Sequence, residues 1–191
     1  MMSAAPRFAL FALLALLLPI ATACSAPPLA EGDCAVPDPE YPEHRYQRAD
    51  CADPAALRVL TIEEDVTEGC YDVPGVTRSV FEEQWNGLVF VCLGPQDVDP
   101  ATAPNVAEAG DCFADDGAAT ETRMRRVDCA APDARYRVLA VDDGADLPGV
   151  SRNECVDVAG ATTSYSFSLQ GDERSLGGLV HRRLFCLAPV S

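Results

Sequence analysis

Arg48-Ala49-Asp50-Cys51-Ala52-Asp53-Pro54 returns 78 positions later (126 − 48) as Arg126-Val127-Asp128-Cys129-Ala130-Ala131-Pro132. Each block follows a Gly-Asp-Cys start by seventeen residues, Gly32-Asp33-Cys34 in one copy (51 − 34) and Gly110-Asp111-Cys112 in the other (129 − 112). Arg58-Val59-Leu60-Thr61-Ile62 is matched by Arg137-Val138-Leu139-Ala140-Val141. A third cysteine opens Cys70-Tyr71-Asp72-Val73-Pro74-Gly75-Val76-Thr77 in the first copy and Cys155-Val156-Asp157-Val158-Ala159-Gly160-Ala161-Thr162 in the second. A fourth sits in Phe90-Val91-Cys92-Leu93-Gly94-Pro95 and again in Leu184-Phe185-Cys186-Leu187-Ala188-Pro189. Blocks repeated in one order are a duplication, and two copies are too few for a solenoid, so the chain reads as tandem domains.

Eight of the nine cysteines thus fall into two matching sets, Cys34, Cys51, Cys70 and Cys92, then Cys112, Cys129, Cys155 and Cys186. Units of roughly 65–80 residues bury little apolar surface, and disulfides are the usual remedy in secreted chains. Two bridges per unit contribute on the order of 2–4 kcal/mol each. If both copies are self-contained and use one pattern, three connectivities remain. The first-to-second, third-to-fourth pairing is preferred, because strands near Cys112 and Cys129 can neighbour each other as a hairpin.

The ninth cysteine, Cys24, ends the only long apolar run, residues 8–18, which is preceded by Arg7. Roughly 11 apolar residues suit a signal-peptide core and fall short of the roughly 20 needed to span a bilayer. Ala21-Thr22-Ala23 fits an ordinary A-x-A cleavage site, which would release a soluble secreted protein. The same residues resemble a bacterial lipobox, with Ala21 in place of the usual Leu. The cysteine count favours the second reading, since Cys24 would otherwise be a lone thiol in an oxidising compartment. The expected organisation is a signal peptide over residues 1–23 and a lipid-anchored spacer over 24–30. The first four-Cys domain follows over 31–94, a Pro- and Ala-rich linker over 95–109, and the second domain over 110–191.

Alternation of apolar and polar residues predicts strands near residues 46–50, 57–62, 76–84 and 89–93. In the second copy they fall near 123–128, 136–141, 163–169 and 181–187. Asn86-Gly87 is expected to form a two-residue hairpin turn, placing Phe81 opposite Cys92 and making the face of Trp85, Leu88 and Phe90 the core. The second copy replaces that turn with a polar loop over 170–178 and adds an acidic turn at 142–146. Helix signals are poor beyond one short turn near Cys70 or Cys155. The fold class is mainly β with small α content, two tandem disulfide-stapled β-rich domains of the same fold.

The net charge is −16, with 30 acidic residues against 14 basic ones, every one of them Arg. That balance argues against nucleic-acid binding and against docking on anionic lipid, leaving the lipid anchor as the membrane attachment. No CxxC pair suggests a redox site or a zinc ribbon. His44 and His181 have no counterparts in the other copy. The sequence leaves a Ser-His-Asp arrangement open but contains no G-x-S-x-G elbow, and surface histidines are the plainer reading. Glu63-Glu64-Asp65, Asp115-Asp116 and the Asp142, Asp143, Asp146 group carry the hard oxygen ligands calcium prefers, yet lack EF-hand spacing and read as solvated turns. Tyr71, Phe81, Trp85 and Tyr136 are candidates for a binding face, with core packing the default. No cofactor, metal or catalytic residue is expected.

The Gly-Asp-Cys starts, Val127-Asp128-Cys129-x-x-Pro132, Tyr136-Arg137-Val138, Cys155-x-Asp157-Val158 and Phe185-Cys186-Leu187 resemble the LppU-type lipoproteins of actinobacteria. Those in turn are similar to the septum-formation-related extracytoplasmic domain. The first copy departs from that pattern with Leu57 in place of Tyr and an inserted Tyr41-Pro42-Glu43-His44. The resemblance implies an envelope lipoprotein without a catalytic role. The expectation is a non-enzymatic binding or scaffolding module on the outer face of the cytoplasmic membrane, with a protein or glycan partner. The alternatives are a secreted enzyme and an inhibitor or ligand-sensing protein.

Overall fold

The computed structural model describes residues 27–42, 45–64, 69–84, 87–117, 122–146, 154–169 and 180–190. The described residues form two five-stranded antiparallel sheets of identical topology. The first contains β1 (Cys34–Pro37), β2 (Tyr46–Ala49), β3 (Leu57–Glu63), β4 (Arg78–Gln84) and β5 (Gly87–Gly94), in the order β2-β1-β3-β5-β4. The second contains β6 (Cys112–Asp115), β7 (Met124–Val127), β8 (Tyr136–Asp146), β9 (Thr163–Phe167) and β10 (Val180–Pro189), in the order β7-β6-β8-β10-β9. Beyond the strands, the helical elements among the described residues are short 3-10 turns at Pro100–Thr102, Pro104–Val106 and Glu154–Asp157.

Each repeated block has a structural task. Gly-Asp-Cys and Arg-x-Asp-Cys form one clasp. Gly32 and Gly110 take positive φ (84° and 103°), turning the chain so that Asp33 and Asp111 accept backbone N–H bonds from Ala30 and Glu108. Arg48 then ion-pairs Asp33 and donates to the carbonyl of Pro28, while Arg126 pairs Asp111 and donates to the carbonyls of Ala101 and Val106. In both copies the arginine therefore grips the segment leading into its own domain. Leu29 and Ala107, in those segments, are buried in the two cores, so the packed part of the first domain begins before residue 31.

The Asp33 carboxyl lies below its ordinary value of 3.8, held there first by the Ala30 N–H, against the opposing pull of burial, and then by Arg48. A lowered carboxylate pKa adds stability that is present above the ordinary value and is lost as pH falls through the folded one. Melting followed from pH 6 down through roughly pH 4 to 2 should show this loss, and Asp33→Asn should remove part of the slope. An unchanged slope in that variant would assign the acid sensitivity elsewhere.

Arg-Val-Leu marks a β-bulge. Val59 faces Leu93 and Thr61 faces Cys92, leaving Leu60 as the extra residue; Val138 faces Leu187 and Ala140 faces Cys186, leaving Leu139. The third block is a turn. Val76 N–H bonds to Val73 C=O and Ala161 N–H to Val158 C=O, with Gly75 and Gly160 at φ 78° and 88° in the third position of a type II pattern.

The disulfides join first to second and third to fourth in both domains: Cys34–Cys51, Cys70–Cys92, Cys112–Cys129 and Cys155–Cys186. The β6–β7 hairpin sets Cys112 opposite Val127, which brings Cys129 within reach. Closing loops of 17 to 31 residues is worth about 3–4 kcal/mol per bridge on the chain-entropy account.

Three sequence expectations change. Gln84 pairs with Gly87 and Phe81 with Phe90, so Gly87 begins β5 and does not form the turn; Trp85 and Asn86 lie outside the described residues. This register places the Phe81 and Phe90 rings 4.1 Å apart, the kind of cross-strand aromatic pair that selects a register. Moreover, Leu88, expected in the core face, is 52% exposed, and from Val89 onward β5 is buried on both faces. Val89, Val91 and Leu93 pack with Ala35, Val59 and Val80, while Phe90 and Cys92 pack with Cys70 and Val76. The acidic stretch at 142–146 is strand, not turn. Its backbone pairs residue for residue with residues 180–184 of β10, and ladder bonding outweighs an acidic composition.

Candidate functional site

The two sheets meet along β9. Leu169, just past its end, is 3% exposed and packs among Cys70, Val76, Phe90 and Cys92 of the first domain. Phe167 touches the cores of both domains and meets Tyr71 edge-on at 6.3 Å. The equivalent positions in β4, by the offset of 85 (164 − 79) between Ser79 opposite Cys92 and Ser164 opposite Cys186, are Glu82 and Gln84. The first copy therefore lacks the apolar plug that the second inserts into it.

A polar bracket backs this contact. Asn105, in the Pro-rich stretch between the domains, is fully buried. Its Oδ1 accepts from Gly75 N–H (2.9 Å), and its Nδ2 donates to the carbonyls of Tyr71 (2.8 Å) and Val73 (2.9 Å). Arg183 of β10 donates to the Asn105 carbonyl (2.6 Å) and to Asp72 (2.8 Å), and forms a two-pronged pair with Asp143. The stretch that reads as a linker is thus fastened to both domains.

Beside this joint lies a cleft of about 740 Å³ lined by both domains. Its first-domain wall includes Tyr46, Leu57, Thr77 and Arg78; its second-domain wall is Thr122 and residues 165–168, in and just past β9. Tyr46, Tyr165 and Phe167 are half-buried, while Ser166 and Ser168 are exposed. The Arg78 guanidinium lies over the Tyr46 ring, 5.5 Å from its centre. Burial raises the Tyr165 hydroxyl above its ordinary pKa of 10; it raises Tyr46 as well, with the Arg78 charge pulling the other way. Both hydroxyls are therefore neutral donors at physiological pH. The arrangement is a mixed wall of rings, hydroxyls and one cation, suited to holding a ligand by one apolar face and several polar groups.

The candidates named from sequence go to different places. Cys24, His44 and the loop at 170–178 lie outside the described residues, as does the His181 side chain, although its backbone pairs with Ala145 in β10. Asp116 pairs with Arg125, which also holds Asp133, while Asp115 accepts from the backbone of Gly117 and Arg123. Glu63 faces Phe90 in the β3–β5 ladder. Among the described residues no group of three or more His, Cys, Asp or Glu side chains comes together in a way that would hold a metal. Tyr71 and Tyr136 are half-buried, Tyr71 against Phe167 and Tyr136 against the second-domain core. The cleft residues Arg78 and Ser166 and the bracket residues Asn105 and Arg183 carry no motif that singles them out. Only the alternation of Tyr165, Phe167 and Leu169 with serines signalled β9.

The chain matches no protein-family model, no curated protein and no solved structure.

Proposed function

We propose that this protein is an exported envelope lipoprotein of the LppU type, acylated at Cys24, that acts as a non-enzymatic binding module. The observation that carries the reading is the joint itself. Leu169 and the Asn105–Arg183 bracket hold two disulfide-stapled domains in one arrangement, and that arrangement forms a cleft neither domain has alone. Four disulfides fit an oxidising, extracytoplasmic compartment. Among the described residues no helix is long and apolar enough to cross a membrane, so a lipid at Cys24 supplies the attachment in this reading. Stable anchoring needs more than one acyl chain, which a multiply acylated N-terminal cysteine provides.

Two measurements test it. Intact-mass analysis of the protein from membranes should find a chain beginning at Cys24 with added acyl mass; a free Cys24 thiol overturns the anchor. Crosslinking on intact cells needs photoreactive or carboxyl-directed reagents, because the chain has no lysine. A partner crosslinked at cleft positions supports the binding-module reading. Crosslinks that avoid the cleft overturn it.

A further inference from the structure

The third-block turn has the same shape in both domains but different company. At the offset of 85 (155 − 70), Val73 N–H to Cys70 C=O is 3.1 Å and Val158 N–H to Cys155 C=O is 3.2 Å. Val76 N–H to Val73 C=O and Ala161 N–H to Val158 C=O are both 3.1 Å. Thr77 and Thr162 then donate to Leu93 and Leu187 at 2.8 and 2.9 Å. In the first domain three groups from outside it seat on this turn. The Asn105 carboxamide meets Gly75 N–H and the carbonyls of Tyr71 and Val73. The Phe167 ring meets Tyr71, and Arg183 meets Asp72.

In the second domain the same three receiving groups face solvent. Gly160 and Asp157 are exposed, and Val156, at the place of Tyr71, is 69% exposed. Among the described residues nothing bonds to the Gly160 N–H, the Val156 carbonyl or the Asp157 carboxylate. A single exposed valine needs no explanation. Beside a free N–H, a free carbonyl and an unpaired acid, in the arrangement that holds Asn105 and its neighbours, it completes a receptor. A carboxamide fits that receptor because its oxygen accepts while its nitrogen donates twice, the complement of one N–H and two carbonyls. A carboxylate has no donor, and a guanidinium or ammonium has no acceptor.

We infer that the turn over residues 156–161 is a docking site for a different polypeptide, one presenting an asparagine side chain flanked by an apolar residue and a cation. Asn105, Phe167 and Arg183 supply that trio to the first domain in cis. A second copy of the chain does not supply it. Its own trio is engaged at its own joint, and its first domain carries Glu82 and Val89 (183 − 94) at the places of Phe167 and Arg183. The net charge of −16 likewise favours a basic partner surface. None of residues 156–161 lines the cleft between the domains, so this site stands or falls apart from the cleft reading.

The test titrates the purified, isotope-labelled full chain with capped peptides, followed by amide chemical shifts. The probes are residues 100–107, the segment the sister turn holds, the same peptide with Asn105→Asp, and the same peptide with an arginine appended. The first should move the Gly160 amide saturably, together with the amides of residues 156–158. The Gly75 amide, held by Asn105 in cis, should stay where it is. The Asp version should bind at least about tenfold more weakly, having lost both donors. The appended arginine should tighten binding about two- to fivefold, the worth of one exposed ion pair, and Asp157→Asn should remove that gain. Asp157 is exposed and unpaired, so this variant leaves the fold intact. A Gly160 amide unmoved up to about 10 mM peptide, where millimolar sites fill, overturns the inference. So does equal binding of the Asn and Asp peptides, or an arginine gain that survives Asp157→Asn. A moving Gly75 amide would mean that the peptide invades the joint, and self-association that shifts Gly160 without peptide would make the occupant a second copy; both overturn it too.

Discussion

Gly75→Ala is expected to destabilise the protein by about 2–5 kcal/mol, a large share of the roughly 5–15 kcal/mol that folded proteins ordinarily have. Two costs add at this position. The backbone φ is 78°, a left-handed conformation that costs an alanine about 1–2 kcal/mol relative to glycine. In addition, a Cβ there would lie 1.9 Å from Val98 Cγ2, so either the Val98 segment moves or the turn opens. Forced overpacking of this kind costs about 1–3 kcal/mol more. The turn has little room to yield, because Gly75 N–H is bound by Asn105 and Gly75 O lies 2.6 Å from where a Cβ on Gly94 would sit.

The duplication supplies the control. Gly160 holds the equivalent place with φ 88°, but its Cβ would meet only Leu139 Cδ1 at 3.6 Å, an ordinary contact. Gly160→Ala should therefore pay the backbone cost alone, about 1–2 kcal/mol. Chemical denaturation of the two variants separates the contributions. Equal losses would show that Val98 adjusts freely and that the segment between the domains is not fastened as described.

The reasons some features are legible in the sequence and others are not can be given residue by residue. Duplication exposes whatever both copies need: the clasp of Asp33 with Arg48 recurs as Asp111 with Arg126, and the bulge at Leu60 recurs at Leu139. Those residues make short-range or repeated contacts, so aligning the copies finds them. Strand positions follow from alternation, and β1 and β6 are missing from the ranges it yields because Cys34–Pro37 and the first three residues of Cys112–Asp115 are apolar without interruption; β6 is anticipated only by the hairpin argument at Cys112. The joint is different in kind. Asn105 bonds to groups 30 to 34 residues away, and Arg183 reaches Asp72 across 111 residues. Neither has a counterpart in the other copy, because a joint occurs once. A single Asn among Pro and Ala has the composition of a linker until its partners are placed around it. The cleft inherits the same illegibility, since its two walls come from different domains.

Asn105→Ala is expected to cost about 3–5 kcal/mol, from one amide removed in a segment that reads as a spacer. The side chain is fully buried and makes three hydrogen bonds; its loss strands the N–H of Gly75 and takes one donor each from the carbonyls of Tyr71 and Val73, the latter keeping the N–H of Val76. The orphaned N–H costs about 1–3 kcal/mol and each bond lost at a carbonyl about 0.5–1.5 kcal/mol more. Asn105→Asp separates this from simple loss of volume. The carboxylate can still accept from Gly75 N–H, but it cannot donate to the two carbonyls, and it places an unpaired charge beside their partial negative charge. Arg183 offers no rescue, since it is already engaged by Asp72, Asp143 and the Asn105 backbone. Burial and the facing carbonyls raise the pKa of the new acid above its unfolded value. The raised pKa means the variant regains stability as pH falls and protonation restores one donor, the reverse of the acid loss expected around Asp33. Melting temperatures measured between roughly pH 7 and 4.5 should rise toward wild type for Asn105→Asp and stay flat for Asn105→Ala. A flat profile for both would mean that the Asn105 side chain is hydrated in solution, and that Leu169, Phe167 and the Arg183–Asp72 pair hold the domains together without it.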